Sequence, residues 1–128
     1  MNIFSECLNS KKQGDIGMGY AIRYFSSNGT VSIPLTDSQD YDLIVDINDS
    51  LKRVQVKTTG QKNKEFFKVT LCTKGGNKSR YNIKQFDNKK MDILYCLTSD
   101  GKEYIIPTSE IDNKYSIALC DKYLKFLI

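Results

Sequence analysis

Asp42, Gln55 and Lys57 are three polar side chains set in or beside two apolar runs, Leu43-Ile44-Val45 and Val54-Gln55-Val56. A polar group in such a run is costly to bury unless it has a partner. Side chains alternate across a strand, so Asp42, Ile44 and Asp46 would share one face of the first run. Gln55, Lys57 and Thr59 would share one face of the second, with Val54 and Val56 opposite. A two-residue loop at Asn48-Asp49 pairs residue 47 with residue 50 and sets Asp42 opposite Gln55, with Lys57 one diagonal step away. An acid, an amide and an ammonium then converge within about 5–8 Å. A carboxylate and an amide oxygen are hard ligands of the kind Mg2+ takes, and the cation lowers the pKa of a bound water. A lysine beside them orients that water and offsets charge as a phosphodiester is attacked. The same spacing, D-x(12)-Q-x-K, also describes a cross-strand Asp–Lys pair on a solvated sheet face, contributing at most ~1 kcal/mol. Spacing alone favours that simpler reading.

The elements that would position these groups follow from the punctuation of the chain. Residues 11–28 read as a helix, with Ile16, Tyr20, Ile22, Tyr24 and Phe25 as a broad apolar face and Asn28-Gly29 as its stop. Gly14, Gly17 and Gly19 are poor helix formers and predict close approach of another backbone or a ligand. Strands are expected at 30–34, 41–47, 51–59, 66–72, 91–98 and 103–106, and a short strand at 115–119. Ser99-Asp100-Gly101 makes a hairpin turn. Residues 81–90 are ambiguous, Pro107 starts a short helix, and Asp121 caps a terminal helix to Leu127. A helix, a meander of strands and mixed elements predict an α+β domain on one mixed β-sheet, spanning residues 1–128 as a single unit.

Composition narrows the chemistry. With 128 residues and 40% apolar content, the chain is long enough to bury a core without staples. Its four cysteines are widely spaced and it has no histidine. That excludes histidine-based nucleophilic dyads and argues against a structural zinc site. Reduced thiols, no apolar run long enough to span a membrane and no secretory leader predict a cytoplasmic or nucleoid-associated protein that is not secreted.

The net charge of +4 is unevenly spread. Residues 52–90 hold twelve basic side chains against two acidic ones, Glu65 and Asp87. Such a segment makes an electropositive surface suited to a polyanion, although a solvated lysine-rich face is equally compatible with charge alone. Its glycine-flanked part, Thr73 to Arg80, is not a phosphate-binding P-loop, because Asn77 stands where a glycine must precede the lysine.

The stretch SQDYDLIVDINDSLKRVQVKTTG resembles the active-site hairpin of the PD-(D/E)XK nuclease superfamily. It is closest in type to the small branch that includes group I intron-encoded homing endonucleases, in which glutamine replaces the usual glutamate of E-x-K. Upstream, KKQGDIGMGYAIRYFSSNGTVSIPLTD is similar to the family's first helix, glycine turn and strand. Downstream, DILYCLTSDGKEYIIPTSEI is similar to its paired strands leading to Ile-Pro. The resemblance implies a restriction-endonuclease-like core, with a central mixed sheet flanked by helices. It implies Asp42 as the central metal-binding carboxylate, Gln55 in place of the second acidic ligand, the Val56 carbonyl in the metal shell and Lys57 as catalytic lysine. Asp15 takes the position of the family's helix glutamate, assisting the metal directly or through water, although it is one methylene shorter. The cofactor implied is Mg2+, with Mn2+ able to substitute. The partner implied is DNA, contacted by Lys52, Arg53, Lys62, Lys64, Lys74, Asn77, Lys78 and Arg80, with no membrane. One site per small chain implies a homodimer or homotetramer for double-strand cleavage. Two alternatives remain at this level: a DNA-binding protein of the same fold with weak or no catalysis, and a nuclease resembling Holliday-junction resolvases.

Overall fold

Asn48 and Asp49 have φ of 52° and 63°. Two successive positive φ values give the tight turn whose twist matches a β-hairpin, and Asn and Asp tolerate that region better than most residues. The turn joins β2 (Leu43–Ile47) to β3 (Ser50–Thr59) in antiparallel register, with Ile47 facing Ser50 and Leu43 facing Val54. The structure is a computed structural model that describes residues 1–74 and 83–128.

β3 is the pivot of a five-stranded mixed sheet. β1 (Thr30–Ser32) pairs antiparallel with β2, and β8 (Ile93–Thr98) runs parallel to β3 with Gln55 opposite Leu94 and Lys57 opposite Cys96. β9 (Glu103–Pro107) closes the order β1-β2-β3-β8-β9 after a turn at Gly101, whose φ is +86°. The segment between β3 and β8 supplies β4 (Lys62–Asn63), β5 (Phe66–Thr70), β6 (Thr73–Lys74) and β7 (Ile83–Lys84). β10 (Ser116–Ala118), β5 and β4 form a second small sheet, and β6 pairs with β7. A parallel strand in mid-sheet is covered on both faces, which is why ILYCLT in β8 is an almost unbroken apolar run.

The two faces of the sheet carry separate cores. On one, helix α1 (Ser10–Asn28) packs Ala21 and Phe25 against Leu43, Val45, Val54, Tyr95 and Leu97. Within this layer the Tyr95 hydroxyl donates to Glu103 Oε2 at 2.7 Å, and Arg23 donates to Glu103 Oε1 at 2.8 Å, so the buried carboxylate is satisfied. On the other face Phe67, Val69, Leu71, Ile117 and Leu119 pack against Leu94, Cys96, Tyr104 and Ile106. The central mixed sheet with its helix is the α+β architecture expected. The second cover is a small sheet rather than a helix, and the segments expected as helices at 107–111 and 121–127 are 3-10 turns at Thr108–Glu110 and Asp121–Phe126. Asp121 does not cap the latter, which begins after Cys120 with no side-chain cap.

The helix ends for steric reasons that differ from the expected stop signal. Asn9 caps its start, accepting the Lys12 N–H at 2.9 Å. At its end Gly29 has φ 179°, an extended conformation open to any residue. Glycine is required there because a Cβ would lie 2.2 Å from the Asp46 carbonyl oxygen in β2. A Cβ on Gly17 would lie 2.4 Å from Thr58 Cγ2 on β3, a close approach to a side chain rather than to the backbone or ligand expected of these glycines. Gly14 and Gly19 have nothing within 4 Å of such a Cβ. Gly29→Ala is therefore expected to destabilise by about 1–3 kcal/mol through overpacking against backbone. Gly14→Ala and Gly19→Ala are each expected to stabilise by about 0.5–1 kcal/mol. Urea denaturation midpoints check all three, and a neutral Gly29→Ala would contradict the contact.

Candidate active site

β2 starts at Leu43, two residues later than the expected start at 41, and that late start shapes the site. The Asp42 N–H donates to the Val54 carbonyl at 2.8 Å, while the Asp42 carboxylate accepts the Val56 N–H through Oδ2 at 2.8 Å. The side chain thus continues the ladder beyond the first β2 pair. Asp42 lies in the gap before the first residue of β2 rather than on a sheet face directly across from Gln55. Alternate residues of a paired strand turn both N–H and C=O toward the same neighbour. The Val56 carbonyl accordingly points to the side on which β2 has not yet begun, beside Asp42.

Gln55 and Lys57 project from β3 to the face away from α1. The Gln55 amide donates from Nε2 to the Asp40 carbonyl at 3.1 Å, and its Oε1 is buried without a hydrogen-bond partner among the described residues. Lys57 is half-buried and makes no ion pair or hydrogen bond among the described residues. Its charge is felt on both sides. Burial raises the Asp42 carboxyl above the usual carboxylate range, opposed by the Val56 N–H and by the Lys57 ammonium. Burial likewise pushes the Cys96 thiol up to about 12, again partly offset by Lys57.

These groups offer oxygens of the kind a divalent cation takes. The Asp42 Oδ1 makes no hydrogen bond among the described residues, Gln55 Oε1 is an orphaned buried oxygen, and the Val56 carbonyl faces the same gap. All three are oxygen donors of the class that hard cations take, and Mg2+ needs only one or two protein carboxylates. The set fits.

Asp15 is not brought to this group. It is exposed and lines a hollow of about 460 Å³ with Ile3, Cys7, Leu8 and Ile16. The sheet-facing stripe of α1 is Gly17, Ala21 and Phe25, and the residue on its extension is Gln13, which donates to Thr58 Oγ1 at 2.9 Å. Two residues from Gly17 is about 200° around a helix, so Asp15 faces away. Among the described residues no group of three or more His, Cys, Asp or Glu side chains could hold a metal ion.

The basic residues are dispersed. Lys52 and Arg53 lie on β3, and Arg53 is engaged by Asp92 at 3.3 Å and by the Lys89 carbonyl at 3.1 Å. The Asp92 carboxyl is held below its ordinary range: burial raises it, but the Arg53 contacts outweigh burial. Lys62 sits 4.9 Å from the Phe67 ring centroid, and Lys64 is exposed in the turn before β5. Lys74 ends β6, and Asn77, Lys78 and Arg80 lie outside the described residues. Two groups near the site were missed from sequence. Asp40 is paired with Lys84 and with Lys90, the latter at 3.5 Å, and its carboxyl is lowered chiefly by the Lys84 contact. Lys89 lines a groove of about 650 Å³ with Lys52, Arg53 and Ser109. The spacing Asp40-Tyr41-Asp42 was the available signal for Asp40, since a second acid two residues away runs along the same side of an extended chain.

Comparison with known proteins bears on the fold and the family. No curated protein matches the sequence. The solved structure of a bacterial homing endonuclease, I-Ssp6803I, superposes with a TM-score of 0.74 at 25% sequence identity, covering 88% of this chain and 79% of that one. Residues 8–120 match the family described as PD-(D/E)XK endonuclease. A match over most of its length, together with the sheet and hairpin described above, means that the chain belongs to the PD-(D/E)XK endonuclease family.

Proposed function

We propose that this protein is a divalent-cation-dependent DNA endonuclease whose site is built on Asp42, Gln55, Val56 and Lys57. The observation that carries the reading is Gln55 Oε1, a buried oxygen with no hydrogen-bond partner among the described residues, next in the chain to Val56, whose N–H holds the Asp42 carboxylate. A buried acceptor left unmatched in a folded protein is costly, and a cation supplied from solution satisfies it. Asp42, Gln55 and the Val56 carbonyl would hold that cation, Mg2+ or Mn2+. When bound, it polarises the phosphate and acidifies a water. Lys57, free of any ion pair among the described residues, acts through its charge on Asp42. It orients the attacking water and offsets charge developing on the phosphate. Asp42 is kept in place through the Val56 N–H, so its position is set before any ligand binds. Lys52 and Lys89 line a groove that includes Arg53, two residues before Gln55 on β3, and give it a positive character suited to a DNA backbone. Double-strand cleavage would require two chains, each supplying one site.

A second reading has an observation of its own. Asp15 faces away from the site, which leaves Asp42 as the only carboxylate among the proposed ligands. A protein that binds DNA and cuts slowly or not at all would have such a site. Supercoiled plasmid and linear duplexes incubated with the purified chain in Mg2+, Mn2+ or EDTA separate the two. Nicking or cutting in either metal and not in EDTA supports the nuclease. Salt-dependent DNA binding with no cleavage in either metal selects the second reading.

A further inference from the structure

Asp40 stands two residues before Asp42 and faces in two directions. Its main-chain carbonyl accepts Gln55 Nε2 at 3.1 Å. Its carboxylate pairs with Lys84 and, at 3.5 Å, with Lys90, both exposed lysines of the segment leading to β8. A carbonyl oxygen only accepts, so the end of the amide that meets it must be the NH2 group. The other end, Oε1, is thereby turned away from Asp40, and it is this atom that lies buried without a partner among the described residues. A glutamate at position 55 would bring a carboxylate oxygen against the Asp40 carbonyl and meet repulsion instead of a hydrogen bond. An amide satisfies the carbonyl with its nitrogen and still leaves an oxygen free.

We infer that Asp40 is a positioning residue for the cation site: latched by Lys84 and Lys90, it holds the Gln55 amide in the one orientation that offers an oxygen ligand. This rests on the cation site proposed above and deepens it. It gives a physical reason for an amide in place of an acid at position 55. It also makes the segment that carries Lys84 and Lys90 part of the site's support, although neither lysine touches Gln55.

The test is a double-mutant cycle read on Mn2+ binding to the full chain without DNA, followed by the loss of the free-Mn2+ electron paramagnetic resonance signal, with thermal melts in parallel. Asp40→Ala is expected to weaken Mn2+ binding about tenfold, the scale of losing a partner that orients a metal ligand. In a Gln55→Ala background the same substitution is expected to change it by under about twofold, because its target is already gone. Asp40→Glu keeps a carboxylate for the lysines and is expected to restore most of the affinity. Lys84→Ala combined with Lys90→Ala removes the latch through exposed side chains that do not endanger folding, and is expected to reproduce the loss. Equal losses from Asp40→Ala in both backgrounds, or full affinity in the double lysine variant, would overturn the inference and leave the cation site standing. A wild-type chain that takes up no Mn2+ would overturn both.

Discussion

Asp42→Asn is expected to abolish divalent-cation binding and cleavage while raising the melting temperature of the metal-free protein. Asparagine retains a carbonyl oxygen to accept the Val56 N–H, so the junction at the start of β2 is kept. What it removes is a negative charge that burial already disfavours, since the Asp42 carboxyl is raised chiefly by desolvation. A partly buried charge whose desolvation outweighs its hydrogen bond and nearby countercharge costs folding free energy, and neutralising it returns that cost. The same charge is the one full anion among the proposed cation ligands. Its loss is expected to lower cleavage by about 10³-fold or more, the upper scale for removing one electrostatic group from a reacting centre. Melts in EDTA and plasmid cleavage in Mg2+ check the two halves. A variant that melts lower and still cuts would mean that Asp42 is a structural acid and that the site lies elsewhere.

Lys57→Met is expected to separate cation binding from chemistry. The side chain is half-buried beside Cys96, and methionine preserves much of the apolar stem while deleting the ammonium. Cleavage is expected to fall by about 10²–10³-fold. Mn2+ binding is expected to stay equal or become tighter, because a positive charge acting on Asp42 has been removed. That opposite pair of outcomes sets Lys57 apart from Asp42, where binding and cleavage fail together. Equal loss of Mn2+ binding in both variants would assign Lys57 a role in holding the fold of the site instead.

The hairpin was legible because local chemistry decides it. Asn48-Asp49 accepts two positive φ values, and the alternation of Leu43, Val45, Val54 and Val56 then fixes which face is core. The position of Asp42 was legible only in part. Alternation predicts a face, whereas the carboxylate lies in the gap before the first β2 pair, Leu43 with Val54, and bonds Val56. Asp15 shows the limit of reading a helix by its large apolar residues. Ile16, Tyr20, Ile22 and Tyr24 suggested one face, but the stripe that meets the sheet is Gly17, Ala21 and Phe25, where Gly17 leaves room for the Thr58 and Val56 side chains of β3. Reading the small residues first would have turned Asp15 outward and Gln13 inward. The second layer was illegible for another reason. β10 pairs with β5 across Ser116–Thr70 and Ala118–Lys68, contacts remote in sequence that no local pattern announces. The Asp40 latch to Lys84 and Lys90 is likewise a contact remote in sequence.

The most direct measurement is the anomalous diffraction of a crystal of this protein grown with Mn2+. The expected result is a single strong peak in the gap before the first residue of β2, bonded by the Asp42 carboxylate, Gln55 Oε1 and the Val56 carbonyl, and absent from crystals of Asp42→Asn. Empty density there at an Mn2+ concentration that supports cleavage, or a full peak on other side chains, would contradict it.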